Sequence, residues 1–144
     1  MSRIRLEIES ELPNVCLIAM AVHRICTFCG MDDMDAYQVE LCVSEAVTNA
    51  ILHAYDSRPG HIVSLLVSIG QEGMLLECGD QGKAMSAEQV MRVTHESSVV
   101  DLQRKSLREG GRGLQIIRGI MDEVAYTTNG KSHCLRMAKR FKKS

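Results

Sequence analysis

The sequence predicts a two-layer α/β sandwich, a mixed, mostly antiparallel sheet with helices on one face. Three observations carry this. Ile4, Leu6 and Ile8 alternate with Arg5, Glu7 and Glu9, the period of a half-buried strand. Two pairs of apolar segments follow, 62–69 with 74–78 and 122–128 with 132–138, each joined by short turn chemistry. Between these strands lie stretches whose apolar residues recur at helical spacing.

Taken in order, residues 10–13 hold helix-start chemistry, with Pro13 where a first turn tolerates it. Val15, Ile18, Ala19, Val22, Ile25, Cys26 and Cys29 then give helical spacing up to Gly30. Asp32, Asp33 and Asp35 favour the positive end of a second helix, which runs to about Tyr55. Stepping about 100° per residue puts Val43, Ala46, Val47, Ala50 and Ala54 on one apolar stripe. Residues 56–60 are a turn, and the Val- and Ile-rich strand 62–69 pairs through 70–73 with strand 74–78. Gly79-Asp80-Gln81-Gly82 ends that hairpin. Residues 83–110 lack sustained periodicity, apart from a short helix at 86–93, and a polar, mobile segment is expected at 104–109. A helix at 114–121 and a hairpin around Asn129-Gly130 complete the pattern, and the basic tail 139–143 reads as a solvated end.

At 144 residues, one domain over 1–144 is expected. A formal net charge of -1 argues against a nucleic-acid or membrane footprint, and two Phe, three Tyr and no Trp argue against base-stacking platforms. The longest apolar run, 15–22, is too short to span a bilayer. Residues 1–5 lead straight into strand alternation, so no signal peptide is expected. The six cysteines therefore read as inert core thiols rather than a disulfide scaffold. Cys26-Thr27-Phe28-Cys29 has no second pair with which to build a zinc site.

Three patches carry chemistry. Glu45, Asn49 and His53 follow one another at i, i+4, i+8 along the flank of the second helix. Asn offers a neutral oxygen to a hard cation such as Mg²⁺, and Glu a carboxylate that can take a proton. Asp80-Gln81-Gly82 places an acceptor for a base amino group beside a residue that lets a ligand approach the backbone. Gly110-Gly111-Arg112-Gly113 opens a helix whose N–H groups, with Arg112, make an anion site. Read alone, each patch has a simpler account: a solvated flank, a turn, a tight loop. The glycine cluster matches neither the Walker A nor the Rossmann pattern.

In this order and context, Glu-x-x-x-Asn, Asp-x-Gly and Gly-x-Gly resemble the GHKL nucleotide-binding fold, the Bergerat ATP site of gyrase, histidine kinases and MutL. Within it, residues 43–55 and Met121-Asp122-Glu123-Val124 look most like the anti-sigma factor serine/threonine kinases. The resemblance implies ATP and Mg²⁺ as cofactors, with Asn49 on the metal and Glu45 as general base. Asp80 would bind the adenine amino group beside Gly82. Gly111, Arg112 and Gly113 would hold phosphates, His53 would line the nucleotide, and 83–110 would form an ATP lid. It also implies a cytoplasmic homodimer that holds a sigma factor and phosphorylates a Ser or Thr of an anti-anti-sigma (STAS-type) antagonist, with no direct contact to nucleic acid or membrane. Two alternatives stand beside it. One is a nucleotide-binding partner-switching module that sequesters a partner without transfer; the other is a histidine-kinase-type catalytic domain served by a separate phospho-acceptor. The family's Asp-x-Gly-x-Gly has Ala84 at its second Gly here, and Ala19 stands where the sporulation type carries a docking Arg, with Arg24 the nearest base.

Overall fold

The computed structural model describes residues 1–94 and 112–143. Strand β1 (Ser2–Glu9) leads through a 3-10 turn (Leu12–Asn14) into α1 (Val15–Phe28) and α2 (Asp33–Asn49). A π-helical turn (Ala50–Ala54) continues α2 and precedes β2 (Ile62–Ile69) and β3 (Gly73–Asp80). Helices α3 (Ala87–Thr94) and α4 (Arg112–Ile120) and the hairpin β4 (Glu123–Asn129) and β5 (Ser132–Arg140) follow. The sheet order is β1-β2-β3-β5-β4. Every pairing is antiparallel, so the two-layer sandwich has a uniformly antiparallel sheet where the sequence left room for a mixed one.

Alternation decides which face is covered. Val63, Leu65 and Val67 of β2, Leu76 and Cys78 of β3, and Leu135 and Met137 of β5 point into one core. Val22 of α1, Val39, Val43 and Val47 of α2, and Leu114 and Ile117 of α4 close it from above. Fully buried Leu65, Leu76 and Ile117 each contribute about 1.5–3 kcal/mol of burial. The opposite face is polar; Arg5, Leu66, Glu77, Arg136 and Ala125 form one row across it.

Local chemistry sets the boundaries. Asp32 caps α2 by accepting from the Asp35 N–H at 2.8 Å, and Asp33 and Asp35 fill the acidic first turn. Gly30, at φ 96°, ends α1 in a conformation other residues resist. Ser86 and Gln89 form a reciprocal capping box at the start of α3, with bonds of 2.9 and 3.1 Å. Lys142 of the basic tail pairs with Asp35 at 3.1 Å and Asp32 at 3.6 Å, so the tail is docked on α2. Ala19 is buried in the core, whereas Arg24 is exposed. Cys26, Cys42 and Cys78 are buried thiols, but Cys16 is exposed and Cys29 and Cys134 are half-buried, because α1 and β5 turn those positions away from the core. No described helix is long and apolar enough to cross a membrane.

The end of α2 departs most from the sequence expectation. Tyr55 N–H reaches back five residues to the Ala50 carbonyl (3.0 Å), the widened turn of a π-helix. The apolar stripe shifts with it: Ile51 and Tyr55 are buried, while Ala54 is only half-buried. Tyr55 then staples three elements. Its hydroxyl donates to the Ile62 carbonyl (2.7 Å) and accepts from the Gln81 N–H (2.8 Å), and its ring stacks on His61 with centroids 4.6 Å apart. Tyr55→Phe should keep the stacking but strand both backbone groups, lowering stability by about 1–3 kcal/mol in urea unfolding. A loss below about 0.5 kcal/mol would mean that water replaces the hydroxyl without penalty.

Candidate active site

The site grows from the end of α2. Glu45 and Asn49 lie one turn apart on its flank, both half-buried, and His53 sits in the π-helical turn, exposed. A cavity of about 240 Å³ opens beside this flank. Asn49, His53 and Asp80 all line it. Its lining includes the apolar Ala46, Ala50, Cys78 and Leu135 together with Tyr126, Lys83 and Gln89. Burial pushes the Cys78 thiol up to about 12, so this wall presents a protonated, uncharged sulfur.

Asp80 is the last residue of β3, not part of a following turn: Gly79 and Asp80 stay in register with Cys134 and His133 of β5. Glycine at 79 is compatible with the strand, because β5 supplies a partner on that side. Beyond Asp80 the chain turns under tight control. Gly82 N–H donates to Asp80 Oδ1 at 3.0 Å, and Lys83 N–H donates to the Ala54 carbonyl at 2.7 Å. A side-chain carbon on Gly82 would run into that same carbonyl and the Tyr55 ring, so only glycine fits. On the far side His133 Nε2 lies 2.9 Å from the Gly82 carbonyl, and Tyr126 Oη accepts from the Met85 N–H at 2.9 Å. Burial raises the Asp80 carboxyl above its ordinary value, while the Gly82 N–H bond and His133 pull it back.

The third patch meets the first directly. Helix α4 starts at Arg112, two residues earlier than the periodicity predicts. Gly113 in its first turn lies close to the Glu45 carboxylate, so that a side-chain carbon there would have to push the flexible end of Glu45 aside. Arg112 is exposed beside it. Gly111 lies outside the described residues, as does 95–110 of the expected lid; the short helix expected at 86–93 is present as α3.

Thus Asn49, His53 and Asp80 share one cavity, Gly82 is tied to Asp80, and Gly113, next to Arg112, meets Glu45 one turn before Asn49. The cavity suits a flat, partly apolar ring with a hydrogen-bond donor aimed at Asp80. No described group of three or more His, Cys, Asp and Glu could hold a metal. A cation here would take the Asn49 carboxamide oxygen and oxygens of a bound anion, the usual habit of Mg²⁺. Sequence reasoning missed Tyr55, Tyr126 and His133. Tyr55 closes the 43–55 segment, but its hydroxyl partners are 7 and 26 residues away. Tyr126 and His133 give no local signal, because only strand pairing brings them to Asp80.

Comparison with known proteins bears on the family and the fold. The chain is 29% identical over 146 aligned residues to the serine-protein kinase RsbW of Staphylococcus aureus strains RF122 and MSSA476, covering 97% of this chain and 87% of the relative. The same identity and coverage hold for RsbW of strain JH9. A chain in the crystal structure of the SiaB–SiaC complex from Pseudomonas aeruginosa shares the fold, with a TM-score of 0.70 at 14% identity over 92% of this chain and 88% of that one. The histidine kinase-like ATPase domain family matches residues 8–139, and the chain belongs to that family.

Proposed function

We propose that this protein is an ATP-dependent serine/threonine protein kinase that acts as an anti-sigma factor. It would hold a sigma factor and phosphorylate an anti-anti-sigma antagonist. One observation carries the reading: a single cavity is lined by Asp80, an adenine-type acceptor, and by Asn49 and His53 of α2, while Glu45, one turn before Asn49 on the same helix, meets Gly113 in the first turn of α4. The similarity to RsbW supports the protein-kinase part.

The roles follow from the chemistry of each group. Asp80, with Oδ1 taken by Gly82 N–H, keeps Oδ2 for the exocyclic amino group of adenine. Tyr126, Leu135 and Cys78 flank the ring. Asn49 and His53 lie along the nucleotide, and the N–H groups of α4, with Arg112, face its phosphates. Mg²⁺, when bound through Asn49 and phosphate oxygens, would neutralise charge on the transferring group. Glu45 takes the proton of the antagonist's Ser or Thr hydroxyl as that oxygen bonds to the γ-phosphorus. The bond from phosphorus to the β,γ-bridging oxygen breaks, and ADP leaves. Positioning supplies most of the acceleration.

Incubation with γ-labelled ATP, Mg²⁺ and a STAS-type domain from the same genome tests the whole reading. Label on a Ser or Thr supports it; label on His, or tight ATP binding with no transfer, replaces it with one of the two alternatives. Asn49→Ala should weaken Mg²⁺-dependent ATP binding at least roughly tenfold, read by calorimetry with and without EDTA. An unchanged affinity removes Asn49 from the metal. Glu45→Ala should bind ATP normally yet slow transfer about 10²–10⁴-fold, and full activity would exclude it as the base.

Asp80→Asn separates fold from function. The raised carboxyl means that the folded state disfavours the charged form; this destabilising contribution is absent below the unfolded value, grows as pH rises from the unfolded to the folded value, and is fully present above the folded value. The amide keeps an acceptor for Gly82 N–H but turns its NH₂ toward the adenine amino group. Its thermal midpoint at pH 7 should equal or exceed that of the parent, while ATP affinity falls roughly tenfold or more. A variant that binds ATP like the parent would dissociate Asp80 from base recognition.

A further inference from the structure

His133 is more than nine-tenths buried, in β5 directly opposite Asp80 in the strand register. Its Nε2 faces the Gly82 carbonyl at 2.9 Å. A carbonyl oxygen can only accept, so Nε2 carries the hydrogen. Nδ1 is buried and without a partner among the described residues. An apolar ring of similar shape would fill the volume and stack near Tyr126, whose centroid is 6.4 Å away, without burying an unsatisfied nitrogen. What the imidazole adds is one donor, aimed at Gly82.

That donor completes a two-sided grip. Gln81 and Lys83 are held from the side of the π-helical turn, by the Tyr55 hydroxyl and the Ala54 carbonyl. Gly82 itself is held from β5, through its carbonyl, while its N–H fixes Asp80 Oδ1. Rotation of the Gly82 peptide units would release the hold on the carboxylate of Asp80, a residue that lines the cavity. His133 does not line the cavity. From this geometry we propose that His133 is a positioning residue for base selection: its bond to Gly82 holds Asp80 in the orientation that reads an exocyclic amino group. The inference rests on the adenine site described under Proposed function.

The test compares ATP with inosine triphosphate, which carries the same triphosphate but no amino donor, by calorimetry on the full chain. His133→Phe should weaken ATP binding roughly tenfold while leaving inosine triphosphate unchanged, so that discrimination collapses. His133→Gln, whose amide nitrogen reaches about as far as Nε2, should restore it; His133→Asn, which stops short at the Nδ1 position, should not. Equal losses for both nucleotides would make His133 merely structural and overturn the proposal, as would discrimination retained in the Phe variant. If the Phe variant does not fold, the Gln and Asn pair decides: equal discrimination in the two overturns the proposal. A parent protein that does not distinguish the nucleotides instead overturns the underlying adenine site, and this inference with it.

Discussion

Gly82 has no room for a side chain, and much of the site depends on that constraint. The Ala54 carbonyl and the Tyr55 ring close on its α-carbon from the helix side. The last turn of α2 widens there to a π-helix, with Ala54 half-buried and Tyr55 buried. From that turn Tyr55 Oη bridges Ile62 and Gln81, which ties β2 and the Asp80 turn together. One local change in helical period thus coincides with the place where the two layers are tied together.

The other end is set by a second close approach, between Gly113 and the Glu45 carboxylate. Helix α4 packs on α2 through the buried Leu114 and Ile117, and its first turn comes down onto the α2 flank. The positive end of α4 then faces a carboxylate that belongs to another element. Apolar burial supplies the force that docks α4, and Gly113 leaves the Glu45 carboxylate room beside that first turn.

Much of this is legible in the sequence. Period-two alternation locates β1, and the Val- and Ile-rich run locates β2 to the residue, because burial on one face leaves a direct mark on composition. Glu45, Asn49, Asp80, Gly82, Arg112 and Gly113 are singled out there because each sits in a short motif whose chemistry is local. The π-helical turn is not legible: Ala50, Ile51, Leu52, His53 and Ala54 suit an α-helix equally well, and only the tertiary fit to Gly82 selects the wider turn. Asp80 reads as a turn residue because Gly79 and Gly82 flank it; its membership of β3 comes from β5, more than a third of the chain away. His133 and Tyr126 stay hidden for the same reason, since strand register leaves no trace in either strand taken singly.

The local departures from ordinary folding rules converge on one place. Asp80 is partly buried against its preference for charge, and His133 Nδ1 is buried without a partner among the described residues. Helix α2 breaks its period, and glycines occupy positions 82 and 113 where a side chain would meet a neighbouring group. The buried carboxyl and the unpartnered ring nitrogen oppose stability, and none of these features adds to the core, which is filled by ordinary Val, Leu and Ile. A chain selected for folding alone would exchange His133 for an apolar ring and Asp80 for a neutral residue. Four of these five features gather on one turn and the strand and helix ends that hold it; the fifth, Gly113, meets the same helix at Glu45. The fold tolerates the strain there because the rest of the sheet and its helices are regular, and that division is what a binding site imposed on a stable scaffold looks like.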